Sequence, residues 1–147
     1  MDQRRELVDR EDAAWTELHE AMDAFGPEQL ESPTLNEEGW SPKDVIFHIG
    51  AWLAEAGLQL ERMGEGTFVE PELDTDELNA RWLEVSRGVD VETAKAELFS
   101  SRTRLLQAFE ELPEITPQAQ EWFEESGDVH YLEHLPELRA ALAREAG

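Results

Sequence analysis

The chain has 147 residues, of which 35 are acidic and 12 are basic, so its formal net charge is -23. This charge argues against nucleic acids and anionic membranes as partners, because binding to either relies on Lys and Arg side chains at phosphate groups. The length, the 40% of apolar residues, the five Trp and the six Phe instead predict one folded domain over residues 1–147.

The first half of the chain predicts two long helices. Residues 2–25 carry apolar side chains three, four and seven positions apart, which is the spacing of one helical face. A linker rich in Pro and Glu follows at 26–39. The sequence SPKD at 41–44 then provides an N-cap serine, a proline at the first helical position and an acid three residues after the cap. The second long helix is expected to continue over 45–63.

The second half predicts a short helix and two further long ones. Residues 74–86 have apolar side chains at helical spacing, and Asp90 caps a third long helix over 91–112. A turn through 122–123 leads past Gly127 to the fourth. Because no strand-like alternation occurs, we expect an all-α fold. Its form should be an up-down four-helix bundle with a short helix inserted between the second and third long helices.

The sequence contains no cysteine, which excludes disulfides, thiolate ligands and a cysteine nucleophile. Any transition-metal site must therefore use imidazole and carboxylate groups. The chain also lacks a run of about 18 apolar residues, and the charged residues 1–10 do not have the pattern of a signal peptide. We expect a cytoplasmic protein whose partner is a small molecule, with a homodimeric assembly left open.

Three of the four histidines form a candidate metal site. His130 and His134 are four residues apart, so a helix would present both imidazoles on one face. His48 and His134 both fall at the edge of an apolar stripe, where a polar pocket between two packed helices would lie. Three imidazoles leave at least one coordination position for water, as in catalytic sites. The alternative is that these are ordinary boundary histidines, and His19 is expected to be one.

Two acidic residues are candidates to orient the imidazoles by accepting an N–H proton. Asp44 lies one turn before His48, and Glu137 lies three residues after His134. Asp44 is also explained by the helix cap, and Glu137 by a solvated helix surface. Pro136 should disturb the hydrogen bond to the carbonyl of Leu132, and a kink there would change the direction of His134.

Two sequence segments resemble the signature of the DinB-like superfamily of metal-binding four-helix proteins. Residues 39–52 read GWSPKDVIFHIGAW, similar to the second helix of that family, and 130–134 read HYLEH, similar to the fourth. The superfamily includes mycothiol-dependent maleylpyruvate isomerases. Residues 78–80, followed by a long helix with 100–102 (SSR), resemble its colibactin self-resistance branch. The similarity covers nearly the whole chain.

The resemblance implies an up-down four-helix bundle that binds one divalent metal, Zn or Ni with Fe as a further candidate, on His48, His130 and His134. Its characterised members activate a low-molecular-weight thiol on the metal or hydrolyse reactive electrophiles. The first hypothesis is therefore a metal-dependent hydrolase or thiol-dependent transferase that acts on a small electrophilic or xenobiotic molecule. The second is a non-catalytic stress-related or ligand-binding protein with a structural or vestigial metal site.

The first hypothesis needs a pocket and, for transfer, a route for the thiol. Candidate pocket residues are the aromatic side chains Trp52, Trp82 and Tyr131, although core packing also explains each of them. The negative surface would repel an anionic thiol unless local arginines guide it. The candidates for that role are Arg81, Arg87 and Arg102, and their small number favours hydrolysis.

Overall fold

The computed structural model describes residues 2–146, and over this range the chain is helical with no β-strand. The helices, in chain order, are α1 (Gln3–Asp23), α2 (Pro27–Leu30), α3 (Pro42–Glu65), α4 (Thr75–Arg87), α5 (Val91–Glu110), α6 (Pro117–Ser126) and α7 (Asp128–Ala146). The four long helices α1, α3, α5 and α7 form the bundle, and α4 is the inserted short helix. The predicted all-α fold class is confirmed.

Two further helices lie in segments that were expected to be a linker and a turn. The one-turn helix α2 occupies part of 26–39, and α6 is a ten-residue helix around the aromatic pair at 122–123. Thr116 caps α6 by accepting a hydrogen bond from the backbone N–H of Ala119, and Pro117 occupies its first turn. These two residues are the start signal of a helix, so α6 could have been recognised from the sequence.

The start of α3 is fixed by a reciprocal pair of hydrogen bonds. The backbone N–H of Asp44 donates to Ser41 Oγ at 3.2 Å, and the backbone N–H of Ser41 donates to Asp44 Oδ2 at 2.9 Å. The other end of the helix is closed by Gly66, whose φ of 78° lies in the left-handed region that glycine adopts without strain. Both ends of the helix that carries His48 are therefore defined by local sequence.

Packing within the bundle is most extensive between α3 and α5 and between α1 and α7. The α3–α5 contact is close because α3 has a glycine in it: a Cβ at Gly50 would lie 3.3 Å from the Cα of Leu98. At the other end of α5, Arg4 from α1 donates to the carbonyls of Phe109 and Leu112. The apolar faces meet in one cluster that includes Leu18, Ile49, Leu53, Leu60, Leu98, Leu105, Phe109 and Phe123, each fully buried.

The helix α7 continues through Pro136 without interruption. Both Pro136 and Leu132 are on the exposed side of the helix, where water can reach the carbonyl that proline leaves without a donor. In this part of the helix, the imidazole of His134 faces the other two histidines.

None of the helices within residues 2–146 combines the length and the apolar character needed to cross a membrane.

Candidate metal centre

The structure brings His48, His130 and His134 together at the contact between α3 and α7. His130 Nε2 lies 3.0 Å from His48 Nε2 and 3.0 Å from His134 Nε2. One nitrogen from each ring lies within 4.8 Å of the others, and this trio could hold one metal ion. His48 and His130 are buried, whereas His134 is partly exposed. The imidazoles therefore come from two helices and face one point.

The protons available to these rings do not satisfy the three nitrogens. A neutral imidazole carries one N–H, and the Nδ1–H of His134 donates to Glu137 Oε1 at 2.6 Å. His134 Nε2 then offers a lone pair. If His130 Nε2 carries a proton, that single proton must serve both 3.0 Å contacts. Both contacts involve His130 Nε2, which can form at most one well-directed N–H···N hydrogen bond, and three ring nitrogens crowded in this way are a donor set that fits a cation.

Burial keeps two of the imidazoles neutral at physiological pH. Desolvation, followed by the charge of His134, lowers the pKa of His48 to about 4, and Glu137 opposes this shift. Desolvation also lowers the pKa of His130 to about 3, with His134 and then His48 as lesser causes. Because a metal binds only the deprotonated ring, this environment suits metal binding at neutral pH.

The two acidic candidates differ in what they contact. Glu137 is hydrogen-bonded to His134, as its position predicted. Asp44 contacts no imidazole: its Oδ1 accepts a hydrogen bond from Ser86 Oγ at 2.6 Å, and its Oδ2 belongs to the cap of α3. The prediction that Asp44 orients an imidazole is therefore wrong, because its carboxylate is directed to the cap of α3 and to Ser86, and the Nδ1 of His48 has no partner among the described residues.

An open cavity of about 570 Å³ adjoins the three histidines. Three tryptophans from different parts of the chain form aromatic walls: Trp40 precedes α3, Trp52 lies on α3, and Trp122 lies on α6. The ring of Trp40 meets that of His48 edge to face, with 5.6 Å between centroids. The Nε1 of Trp52 donates to Asn79 Oδ1 at 2.9 Å, which fixes its orientation. The cavity therefore has the size and aromatic lining typical of small-molecule sites.

Of the predicted pocket residues, Trp52 lines the cavity and the other two do not. Trp82 packs edge to face on Trp52, with ring centroids 5.0 Å apart, so it supports the cavity wall from outside. The prediction that Tyr131 faces the pocket is wrong. Its ring is fully buried on another face of α7, and its hydroxyl donates to Glu11 Oε2 at 2.8 Å.

The contact of Tyr131 belongs to a buried polar cluster between α1, α5 and α7. Arg102 donates two hydrogen bonds to Glu11, each of 2.8 Å, and its guanidinium lies over the ring of Trp15. Glu11 is completely buried, and its charge raises the pKa of Tyr131 further beyond the effect of burial. This cluster holds Arg102 away from the cavity, so Arg102 cannot guide an anionic thiol to the histidines.

Several cavity residues were not singled out from the sequence. Asn79 and Trp40 lie in segments that resemble the family signature, but no local pattern indicates which side they face. Trp122 on α6 was also missed, because an aromatic residue at helical spacing is equally expected in the core. The remainder are acidic or small polar residues with no distinctive sequence context: Glu70, Thr75, Glu121, Glu125, Ser126 and Glu133. They meet at the cavity because α6 packs against α3 and α7 and because Glu70 of the 66–74 connection reaches the same space.

A helical bundle with three convergent imidazoles beside an open cavity defines a candidate metal-binding helical protein. The family model described as the DinB superfamily matches residues 11–142, and the chain belongs to that superfamily. Comparison with curated proteins found no match, and comparison with solved structures found none either.

Proposed function

We propose that the chain is a divalent-metal-dependent hydrolase that acts on a small electrophilic molecule. His48, His130 and His134 are the proposed metal ligands, with Zn or Ni the expected ion and Fe a further candidate. The observation that carries this proposal is the convergence of three Nε2 atoms at the wall of an open cavity. A closed structural site would have a fourth protein ligand, and no fourth His, Cys or carboxylate joins this trio among the described residues.

Each of the named residues has a distinct task in this proposal. A divalent metal bound there supplies Lewis acidity to a substrate oxygen or to water, which lowers the pKa of that water toward 7. Glu137 holds the Nδ1 proton of His134 and so directs the Nε2 lone pair toward the shared point. Trp40, Trp52 and Trp122 contact the substrate and exclude water from it.

Charge favours hydrolysis over thiol transfer. A low-molecular-weight thiol reacts as its thiolate, so a transferase site benefits from a basic residue near the metal. None of the described residues that line the cavity is Lys or Arg. Of the three candidate guides, Arg81 pairs with Glu77 and Arg102 is bound to Glu11. The third, Arg87 at the end of α4, does not line the cavity. Water needs no such guide, because it is neutral.

The test begins with protein purified without a polyhistidine tag and analysed for bound metal. Metal-loaded and chelator-treated samples are then incubated with small esters, amides and epoxides, with and without a low-molecular-weight thiol, and the products are identified by mass. We expect a metal-dependent product that has gained one water. Detection of a thiol adduct would contradict the hydrolase proposal and support the hypothesis of a thiol-dependent transferase. Metal binding without any turnover across the panel would favour the non-catalytic alternative.

A further inference from the structure

The rim of the cavity carries an excess of unpaired negative charge. Four carboxylate side chains line it, contributed by the connection before α4, by α6 and by α7: Glu70, Glu121, Glu125 and Glu133. None of the four forms an ion pair with a Lys, Arg or His within the described part of the chain. Other glutamates, such as Glu11 and Glu61, are bound by arginines. The negative charge around the cavity is therefore left uncompensated by the protein.

The shape of the cavity strengthens the effect of this charge. A cleft with low-dielectric walls concentrates the electrostatic field of the charges around it and raises the local concentration of ions of opposite sign. The walls are the rings of Trp40, Trp52 and Trp122, and the face of a tryptophan is the best aromatic surface for a cation. Carboxylates and tryptophan side chains around one cavity are the combination that binds an organic ammonium group.

We propose that the cavity takes an organic cation: a molecule with an aliphatic or aromatic body and a quaternary or protonated amine. The ammonium group lies among the tryptophans and the rim glutamates, and the reactive group of the same molecule reaches the three histidines. This inference rests on the proposed function, because it names the substrate class of that site. At the rim, the four carboxylates repel an anionic group.

The test compares two ligands of similar shape on the unmodified, metal-loaded protein by titration calorimetry. Benzyltrimethylammonium carries a permanent charge and has no lone pair to donate to a metal, whereas benzyl tert-butyl ether is uncharged. We expect the cation to bind about tenfold more tightly than the ether at low salt, with the difference shrinking as salt is added. Equal affinity for the two ligands would overturn the proposal.

Two variants then test whether the carboxylates at the cavity, and not the net charge of the chain, determine the affinity for the cation. In the cavity variant the four rim glutamates are changed: Glu70→Gln, Glu121→Gln, Glu125→Gln and Glu133→Gln. In the matched variant the same number of charges is removed from exposed positions outside the cavity: Glu84→Gln, Glu97→Gln, Glu110→Gln and Glu114→Gln. The cavity variant should lose about tenfold in affinity for benzyltrimethylammonium, and the matched variant about twofold or less.

Equal losses in the two variants would contradict the proposal, because the effect would then come from net charge alone. If the cavity variant does not fold, the comparison of the two ligands on the unmodified protein still tests the proposal. Metal content is measured on the same samples. Selective cation binding by protein that takes up no metal contradicts the proposed function only, and metal-loaded protein without a preference for the cation contradicts only the cavity assignment.

Discussion

At the scale of single residues, the three imidazoles are unequal. His134 has an acceptor for its Nδ1 proton in Glu137, whereas the Nδ1 atoms of His48 and His130 are buried and have no hydrogen-bond partner among the described residues. Acceptors of this kind hold a metal-binding histidine in the correct tautomer and orientation. The orientation of the proposed ligand set therefore depends on packing for two rings and on one carboxylate for the third.

Removal of any one proposed ligand should abolish most metal binding. His48→Ala, His130→Ala and His134→Ala each leave two imidazoles, which is too few for stable binding of a divalent ion at a protein site. His19→Ala is the control, because His19 lies outside the cavity and pairs with Asp23. Metal content after desalting should fall sharply in the three variants and stay unchanged in the control. Full occupancy in His48→Ala would show that the ion does not bridge α3 and α7.

Glu137→Gln should weaken metal binding about 10- to 100-fold without unfolding the protein, because the amide no longer holds the Nδ1 proton of His134 as a carboxylate does. Glu133→Gln is a matched control. It removes the same charge from a neighbouring position in α7, but Glu133 forms no hydrogen bond with an imidazole among the described residues. Competition with a chromophoric chelator gives both affinities. An equal loss in the two variants would assign the effect to charge instead of the hydrogen bond.

Acid should destabilise the metal-free protein before carboxylates are titrated. The pKa values of His48 and His130 are about 4 and about 3 in the folded chain, against 6.5 for an ordinary histidine. Between pH 6.5 and about 4 the unfolded chain therefore binds more protons, so the free energy of unfolding falls as the pH falls. The slope reaches about 1.4 kcal/mol per pH unit for each residue.

Urea denaturation of chelator-treated protein at pH 7, 6 and 5 measures this dependence. The double variant His48→Ala/His130→Ala retains every carboxylate, so it serves as the baseline and should show a shallower decrease over the same range. A double variant as pH-sensitive as the unmodified chain would mean that other groups cause the effect.

At the scale of helices, the sequence was sufficient to predict the long helices of the bundle. It was insufficient to predict which neighbours the faces of α7 contact. Apolar periodicity and the SPKD cap predicted the long helices and the inserted α4, because these signals are local. The side that Tyr131 faces depends on Glu11, which is 120 positions away along the chain. The extent of the cavity likewise depends on how α6 packs against α3 and α7. Local pattern carries no information about such distant partners.

Two glycines of α3 should respond oppositely to substitution by alanine. A Cβ at Gly50 would lie 3.3 Å from the backbone of Leu98, which cannot move without shifting α5, so Gly50→Ala should destabilise the protein by about 1–3 kcal/mol. At Gly57 the nearest atoms on α5 are 3.6 Å away, an ordinary contact. Gly57→Ala should be neutral or stabilising by up to about 1 kcal/mol, because alanine favours a helix.

Urea unfolding of the two glycine variants gives both free energies on the same helix. A stable Gly50→Ala variant would show that α3 and α5 are not in close contact there. A large loss in Gly57→Ala would show that the helices approach each other more closely along their whole length.

At the scale of the whole molecule, charge is distributed unevenly between pairs and free carboxylates. Two bidentate ion pairs connect different helices: Arg102 donates two hydrogen bonds to Glu11, and Arg104 donates two to Glu61. Arg139 reaches Glu17 across the α1–α7 contact. These arginines serve the bundle, so most of the acidic surface, including the cavity rim, has no basic neighbour to offset it.

This distribution predicts that the chain does not bind DNA or RNA. Nucleic-acid affinity depends on Lys and Arg side chains that displace counterions from phosphates, and the chain has 12 such residues against 35 acidic ones. At least five of the arginines are already paired with carboxylates, and no Lys or Arg occurs between Arg104 and Arg139. A gel-mobility assay with duplex and single-stranded DNA at physiological salt should show no shift, with or without metal. A shift that weakens as salt is added would reveal a basic surface and would overturn this prediction.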